Sequence, residues 1–103
     1  MVFTNPQQGS GEEAKRLRKE AGDMLKKMRE AVEKTQRDVA NEVGFDYYTM
    51  VSQIENGKTR VPPSQLVAYA KSLRIPPKEL AKKLMRYYDP VMFEILFTNK
   101  HGG

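Results

Sequence analysis

The chain has 103 residues, ordinarily the size of one domain with one hydrophobic core. It has no cysteine, which excludes disulfide frameworks and cysteine-based zinc sites. It also has no apolar run long enough to cross a bilayer and no secretory signal pattern at residues 1–13. We therefore predict a cytoplasmic protein. The formal net charge of +5 favours a polyanionic partner, because each neutralised phosphate releases a counterion.

The amino-terminal third predicts an arm followed by helix. Residues 1–11 are rich in proline, glycine and serine, and we expect them to be disordered. From Glu12 to about Lys34 apolar residues recur at three- and four-residue steps, which indicates a helix. Gly22 interrupts this pattern, so the segment could also be two helices, with Asp23 capping the second.

Two short helices joined by a glycine are predicted next. Thr35 and Asp38 are spaced as a capping box, in which each side chain accepts a hydrogen bond from the other residue's backbone N–H. Gly44 stands where that helix needs a left-handed terminator. The following helix is expected to bury Val51 and Ile54.

Proline pairs divide the remaining chain into further helices. A fourth helix is expected to begin at Pro63 or Ser64, and a fifth to run from Lys78 to Tyr88. Asp89-Pro90 then precedes a short apolar segment, VMFEILF, which could also be a strand. The predicted fold class is therefore all-α, a compact bundle of five or so short helices.

The block TQRDVANEVGFDYYTMVSQIENGKTRVPP, residues 35–63, has the pattern of a helix-turn-helix, whose second helix presents outward side chains to base edges in the major groove. With TQRDVA, VSQIENGK and LVAYAKSL in this order, the chain resembles the Cro/C1-type helix-turn-helix family of phage repressors and bacterial regulators over about residues 24–80. The resemblance implies a lambda-repressor-like DNA-binding domain at residues 12–88, with the helix-turn-helix at 36–56.

The turn differs from the family's usual one. Gly44 and Val51 are seven positions apart, one more than is usual, which leaves open whether Asp46, Tyr47 or Tyr48 begins the recognition helix.

The resemblance assigns base reading to Tyr48, Thr49 and Gln53. An amide such as that of Gln53 can both donate to and accept from an adenine edge, a contact worth about 1–3 kcal/mol of discrimination. Thr49 could contact a thymine methyl or a phosphate, and only one of the two tyrosines is expected to contact DNA. Phosphate contact, which fixes register, is assigned to Gln36, Tyr47, Ser52, Asn56, Lys58 and Arg60. Arg29 and Glu55 resemble a structural pair that ties the first helix to the end of the third.

The segment at residues 89–98 is too apolar to lie alone in water. It either folds back on the core or is buried against a second copy. Helix-turn-helix proteins commonly read two half-sites about 34–36 Å apart, one per subunit. We therefore expect a homodimer on palindromic double-stranded DNA, formed through Val91, Met92, Phe93, Ile95, Leu96 and Phe97. A stripe on the first helix, formed by Leu17 and Met24 with Ala14 and Ala21, is the competing interface, and residues 99–103 are expected to be a disordered tail.

Charge leaves a second reading open. Residues 58–86 hold eight basic and one acidic side chain, whereas residues 35–57 hold one basic and four acidic ones. We interpret the basic stripe of Lys78, Lys82, Lys83 and Arg86 as a solvated helix face, whose positive electrostatic field could steer association with an anionic partner. The acidic balance of 35–57 and the apolar carboxyl-terminal segment support the alternative, a protein-interaction module such as an antitoxin or adaptor.

A catalytic role has little support in the sequence. The one histidine, His101, lies in the expected tail, and there is neither a glycine-rich phosphate loop nor a paired-carboxylate site. We predict no catalytic residue, metal or cofactor. The predicted function is that of a dimeric transcriptional regulator, acting as a repressor in a bacterial nucleoid or encoded by a phage.

Overall fold

The computed structural model describes residues 11–98, and every regular element in that range is helical. The elements in chain order are α1 Glu12–Ala31, α2 Gln36–Val43, α3 Thr49–Glu55, a 3-10 turn Pro63–Gln65, α4 Leu66–Ser72, α5 Pro77–Tyr88 and α6 Pro90–Phe97. The predicted all-α class is confirmed. None of these helices combines the length and the apolar character that crossing a bilayer requires. Residues 1–10 of the predicted arm and the tail at 99–103, with His101, lie outside the described residues.

The core lies where the first five helices meet. Its fully buried members include Leu25, Val39, Ile54, Tyr69 and Leu80, one from each of these helices. α1 packs against α3 and α5, α2 against α3 and α4, and α4 against α5, while α6 packs chiefly on α5. Because each large apolar side chain contributes about 1.5–3 kcal/mol when fully buried, these contacts fix the position of the short helix α3.

Local sequence signals set the ends of the helices. The capping box of α2 is confirmed: the Asp38 N–H donates to Thr35 Oγ1 at 3.0 Å, and the Thr35 N–H donates to Asp38 Oδ2 at 2.8 Å. The predicted start of the fourth helix at Pro63 or Ser64 is the start of the 3-10 turn, so α4 itself begins later. The apolar segment after Asp89 is a helix and not a strand.

α1 is one continuous helix, so the predicted alternative of two helices with Asp23 as a cap is wrong. Asp23 instead pairs with Lys19, one turn earlier. Gly22 is required by packing, because a Cβ atom built there would lie 2.1 Å from the carbonyl oxygen of Glu55. The glycine therefore lets α1 cross the carboxyl end of α3 at close range.

We expect Gly22→Ala to destabilise the protein by about 1–3 kcal/mol, since the added methyl group overpacks a contact with backbone. Chemical denaturation followed by far-ultraviolet circular dichroism measures this change. Gly11→Ala is the matched control, because its Cβ would meet nothing within 4 Å. Equal losses in the two variants would show that the crossing does not depend on Gly22.

Candidate nucleic-acid interface

The turn between α2 and α3 begins at a residue with left-handed backbone. Gly44 has φ 92°, a conformation that a side chain would strain, as the sequence predicted. The N–H groups of Gly44 and Phe45 both donate to the carbonyl of Ala40 at 2.9 Å, which closes α2. The chain is thereby turned away from the axis of α2 before α3 begins.

The longer turn directs one aromatic ring toward the core and two toward solvent. Phe45 turns inward and meets the ring of Tyr69 edge to face, with centroids 6.3 Å apart. Tyr47 and Tyr48 turn outward, with 75% and 45% of their surface exposed. Tyr48 occupies the N-cap position and α3 starts at Thr49, so none of the three residues that the sequence offered as its first residue begins the helix.

α3 has a buried and an open face. Val51 and Ile54 are fully buried, as predicted, whereas Thr49 and Gln53 are exposed on the opposite side. Thr49 and Gln53 line a shallow depression of about 310 Å³, together with Phe45, Asp46, Tyr47, Met50 and Gln65. The polar side chains that the sequence predicted to read bases are therefore open to solvent.

A buried ion pair fixes the far end of α3. Arg29 Nε donates to Glu55 Oε2 at 2.7 Å and Arg29 Nη2 to Glu55 Oε1 at 3.1 Å, so the contact is bidentate. Gln36 Nε2 adds a third hydrogen bond to Glu55 at 3.0 Å. The hydrogen bonds that Arg29 donates to the Glu55 carboxylate raise the pKa of Arg29. α1, α2 and α3 are thus joined at one carboxylate, and that carboxylate faces the protein interior.

Cations pair with half of the acidic side chains of residues 35–57. The backbone N–H of Thr35 lowers the pKa of Asp38, and the Lys34 ammonium, followed by the Ser72 hydroxyl, lowers the pKa of Glu42. Glu55 is paired with Arg29 and Glu42 with Lys34, so two of the four carboxylates in the segment have a cation as partner, whereas Asp38 accepts a hydrogen bond from an uncharged N–H and keeps its charge. The surface around α3 is accordingly less repulsive to an anion than its sequence implies.

The predicted phosphate-contacting residues lie in different surroundings. Lys58 and Asn56 are exposed, and the Asn56 amide donates to the half-buried hydroxyl of Ser52 at 3.4 Å. Gln36 is half-buried, with its amide on Glu55. Arg60 pairs with Asp89 at 2.8 Å and lies over the ring of Tyr88 at 4.7 Å, contacts that the sequence did not reveal.

α6 covers α5 with one face and leaves the other open. Phe93 is half-buried, meets the ring of Phe97 at a tilt with centroids 5.2 Å apart, and lies beneath the guanidinium of Arg86. The open apolar surface, between 38% and 55% exposed at each residue, consists of Val91, Met92, Ile95, Leu96 and Phe97. Of the six residues predicted at a dimer interface, Phe93 is thus the one turned most toward its own subunit. Of the competing stripe on α1, Ala14 and Ala21 are buried inside the subunit.

Residues 11–98 hold no cluster of three or more acidic or histidine side chains placed to bind a metal ion. The side chains brought together around α3 include amides, hydroxyls, tyrosines and arginines, all of which can form hydrogen bonds. The arrangement is that of a binding surface.

Comparison with known families gives one match. The family model described as helix-turn-helix matches residues 25–80, more than half of the chain. The matched stretch runs from the middle of α1 into α5 and contains the whole α2–turn–α3 unit, whereas α6 lies beyond it. No curated protein sequence and no solved structure matches the chain significantly.

We expect Arg29→Met to cost about 3–5 kcal/mol of folding free energy, because it leaves the buried Glu55 carboxylate without its cation. Urea denaturation measures the loss. Replacing both partners, Arg29→Met with Glu55→Leu, should recover much of it. Arg16→Met, which removes an arginine whose ion pairs with Glu13 and Glu20 are exposed, is the control and should change little. A comparable loss of folding free energy in Arg29→Met and Arg16→Met would contradict the assigned role of the buried pair.

Proposed function

The chain belongs to the Cro/C1-type helix-turn-helix family of DNA-binding transcription regulators, and from that premise we propose that it binds a specific double-stranded DNA sequence as a homodimer. The observation that carries the proposal is the division of α3, with Val51 and Ile54 buried below and Thr49 and Gln53 exposed above. A helix held in this way can enter the major groove without exposing apolar core.

Base reading is proposed for the outer face of α3. The exposed amide of Gln53 can donate and accept at once, which suits the N6 and N7 positions of adenine. Thr49, one turn earlier on the same face, offers a hydroxyl to a phosphate or base and a methyl group to thymine.

Backbone contacts are proposed for the residues that border this face. Lys58, exposed after the carboxyl end of α3, supplies a charge, and Ser52 and Asn56 supply neutral donors. Gln36 stands at the first turn of α2, where the helix dipole favours an anion. Arg60 would share its guanidinium between Asp89 and a phosphate, so we assign it a smaller share of the affinity than Lys58.

Dimerisation is proposed through the open face of α6. Contiguous apolar surface of this kind is rare on a monomer and is typical of protein interfaces. Two copies joined there would carry two recognition helices, which fits a palindromic operator. Occupying a promoter blocks transcription without any further contact, so we propose repression as the regulatory mode and the bacterial cytoplasm or nucleoid as the location.

The same open face of α6 also supports a second function, a protein-interaction module of this fold. An electrophoretic mobility-shift assay with genomic DNA fragments distinguishes the two functions. Salt-sensitive binding to a palindromic site supports the regulator, whereas co-purification with a partner and no shift supports the module.

Gln53→Ala tests base reading. We expect binding to a duplex selected from a randomised pool to weaken by roughly 5- to 150-fold, the equivalent of about 1–3 kcal/mol, because a bidentate base contact is lost. Binding to a mixed-sequence duplex should stay almost unchanged, and fluorescence anisotropy measures both affinities. Equal weakening on the two duplexes would contradict a base-reading role.

A variant with Ile95→Ser and Leu96→Ser tests the interface. We expect multi-angle light scattering to give half the mass of the unaltered protein, since two of the most exposed apolar side chains of α6 are replaced. Val67→Ser is the control, because Val67 on α4 is 52% exposed and lies outside α6. A dimer that persists in the α6 variant would place the interface elsewhere.

A further inference from the structure

The two adjacent tyrosines before α3 face different surfaces. Tyr47 lies in the same depression as Thr49 and Gln53, on the proposed base-reading face. Tyr48 lines a second depression, of about 450 Å³, whose other residues come from the end of α1, the loop after it and the start of α2: Arg29, Lys34, Thr35, Gln36 and Arg37. The peptide that joins the two tyrosines therefore marks a boundary between two parts of the surface.

Arg37 stacks on Tyr48 across this second depression. The guanidinium carbon lies 4.5 Å from the ring centroid, well inside the range of about 6 Å for a cation–π contact. Both side chains are exposed. A guanidinium held over the face of a ring can still direct N–H groups to a ligand, in the fork geometry that matches a phosphate.

Among the described residues, Arg37 is also the cation of this depression that forms no ion pair. Of the three cations that line it, Arg29 is paired with Glu55 and Lys34 with Glu42. No carboxylate among residues 11–98 lies within ion-pair distance of Arg37. The charge of Arg37 is therefore not offset within the described part of the chain.

We propose that Arg37 and the ring of Tyr48 form a clamp for a DNA phosphate, and that Tyr47 belongs to the base-reading surface. This inference rests on the proposed function. It reverses the sequence-based roles of the two tyrosines and adds Arg37, to which the resemblance gave no role. Because the ring of Tyr48 already orients the guanidinium, less side-chain freedom is lost when a phosphate binds.

The salt dependence of binding tests the clamp. Fluorescence anisotropy with a mixed-sequence duplex, repeated over a series of salt concentrations, gives the slope of log K against log salt for the full chain. Arg37→Gln should reduce the magnitude of this slope by about 0.9, the value for one lost phosphate contact. It should weaken binding to the selected and mixed duplexes by the same factor, roughly tenfold.

Four variants accompany Arg37→Gln. Arg74→Gln removes the same charge from an exposed position outside the depression and should change the slope by much less. Arg37→Lys should keep the slope and recover part of the affinity, since it retains the charge but not the planar fork. Tyr48→Leu should weaken both duplexes equally, whereas Tyr47→Leu should weaken the selected duplex more than the mixed one.

The outcomes separate this inference from the proposed function. An unchanged slope for Arg37→Gln, in a variant whose circular dichroism and melting match the unaltered protein, overturns the clamp and leaves DNA binding intact. Loss of discrimination in Tyr48→Leu instead of Tyr47→Leu overturns the assignment of the tyrosines. If the unaltered chain bound neither duplex at any salt concentration, both the proposed function and the clamp would be overturned.

Discussion

The buried ion pair between Arg29 and Glu55 holds the recognition surface in place. Both charges are almost excluded from water, so separating them would leave an uncompensated charge in the interior. The pair joins α1 to the last residue of α3, and Gln36 brings the start of α2 to the same carboxylate. Gly22 lets the backbones of α1 and α3 approach at this point. A helix of seven residues, too short to be stable alone, is thereby held as a rigid platform.

The features that the sequence predicted correctly are those set by short spacing. The capping box of Thr35 and Asp38 and the left-handed Gly44 depend on residues only a few positions apart. Helical periodicity sufficed to place Val51 inside and Gln53 outside. The pairing of Arg29 with Glu55 spans 26 positions, and it was predictable only because the family resemblance supplied it.

The features that the sequence missed arise where distant segments meet. Gly22 left open a break in the first helix, because nothing near it in sequence reveals the carbonyl group that crosses it. The contact between Arg60 and Asp89 joins residues 29 positions apart, and no local pattern indicates it. The stack of Arg37 on Tyr48 depends on where the longer turn ends, which the spacing from Gly44 left open. The part that each of these side chains plays in the proposed DNA contact therefore depends on three-dimensional geometry, which residue types alone do not determine.

Amide chemical shifts measured during a titration with DNA show whether the solvent-exposed face of α3 contacts the duplex. Nitrogen-15 correlation spectra of the full chain, recorded as a selected duplex is added, report on each backbone N–H separately. The largest changes are expected at residues 47–53 and 36–37, with small changes along α4 and α5. Changes concentrated on α5 and α6, with residues 47–53 unaffected, would contradict this expectation.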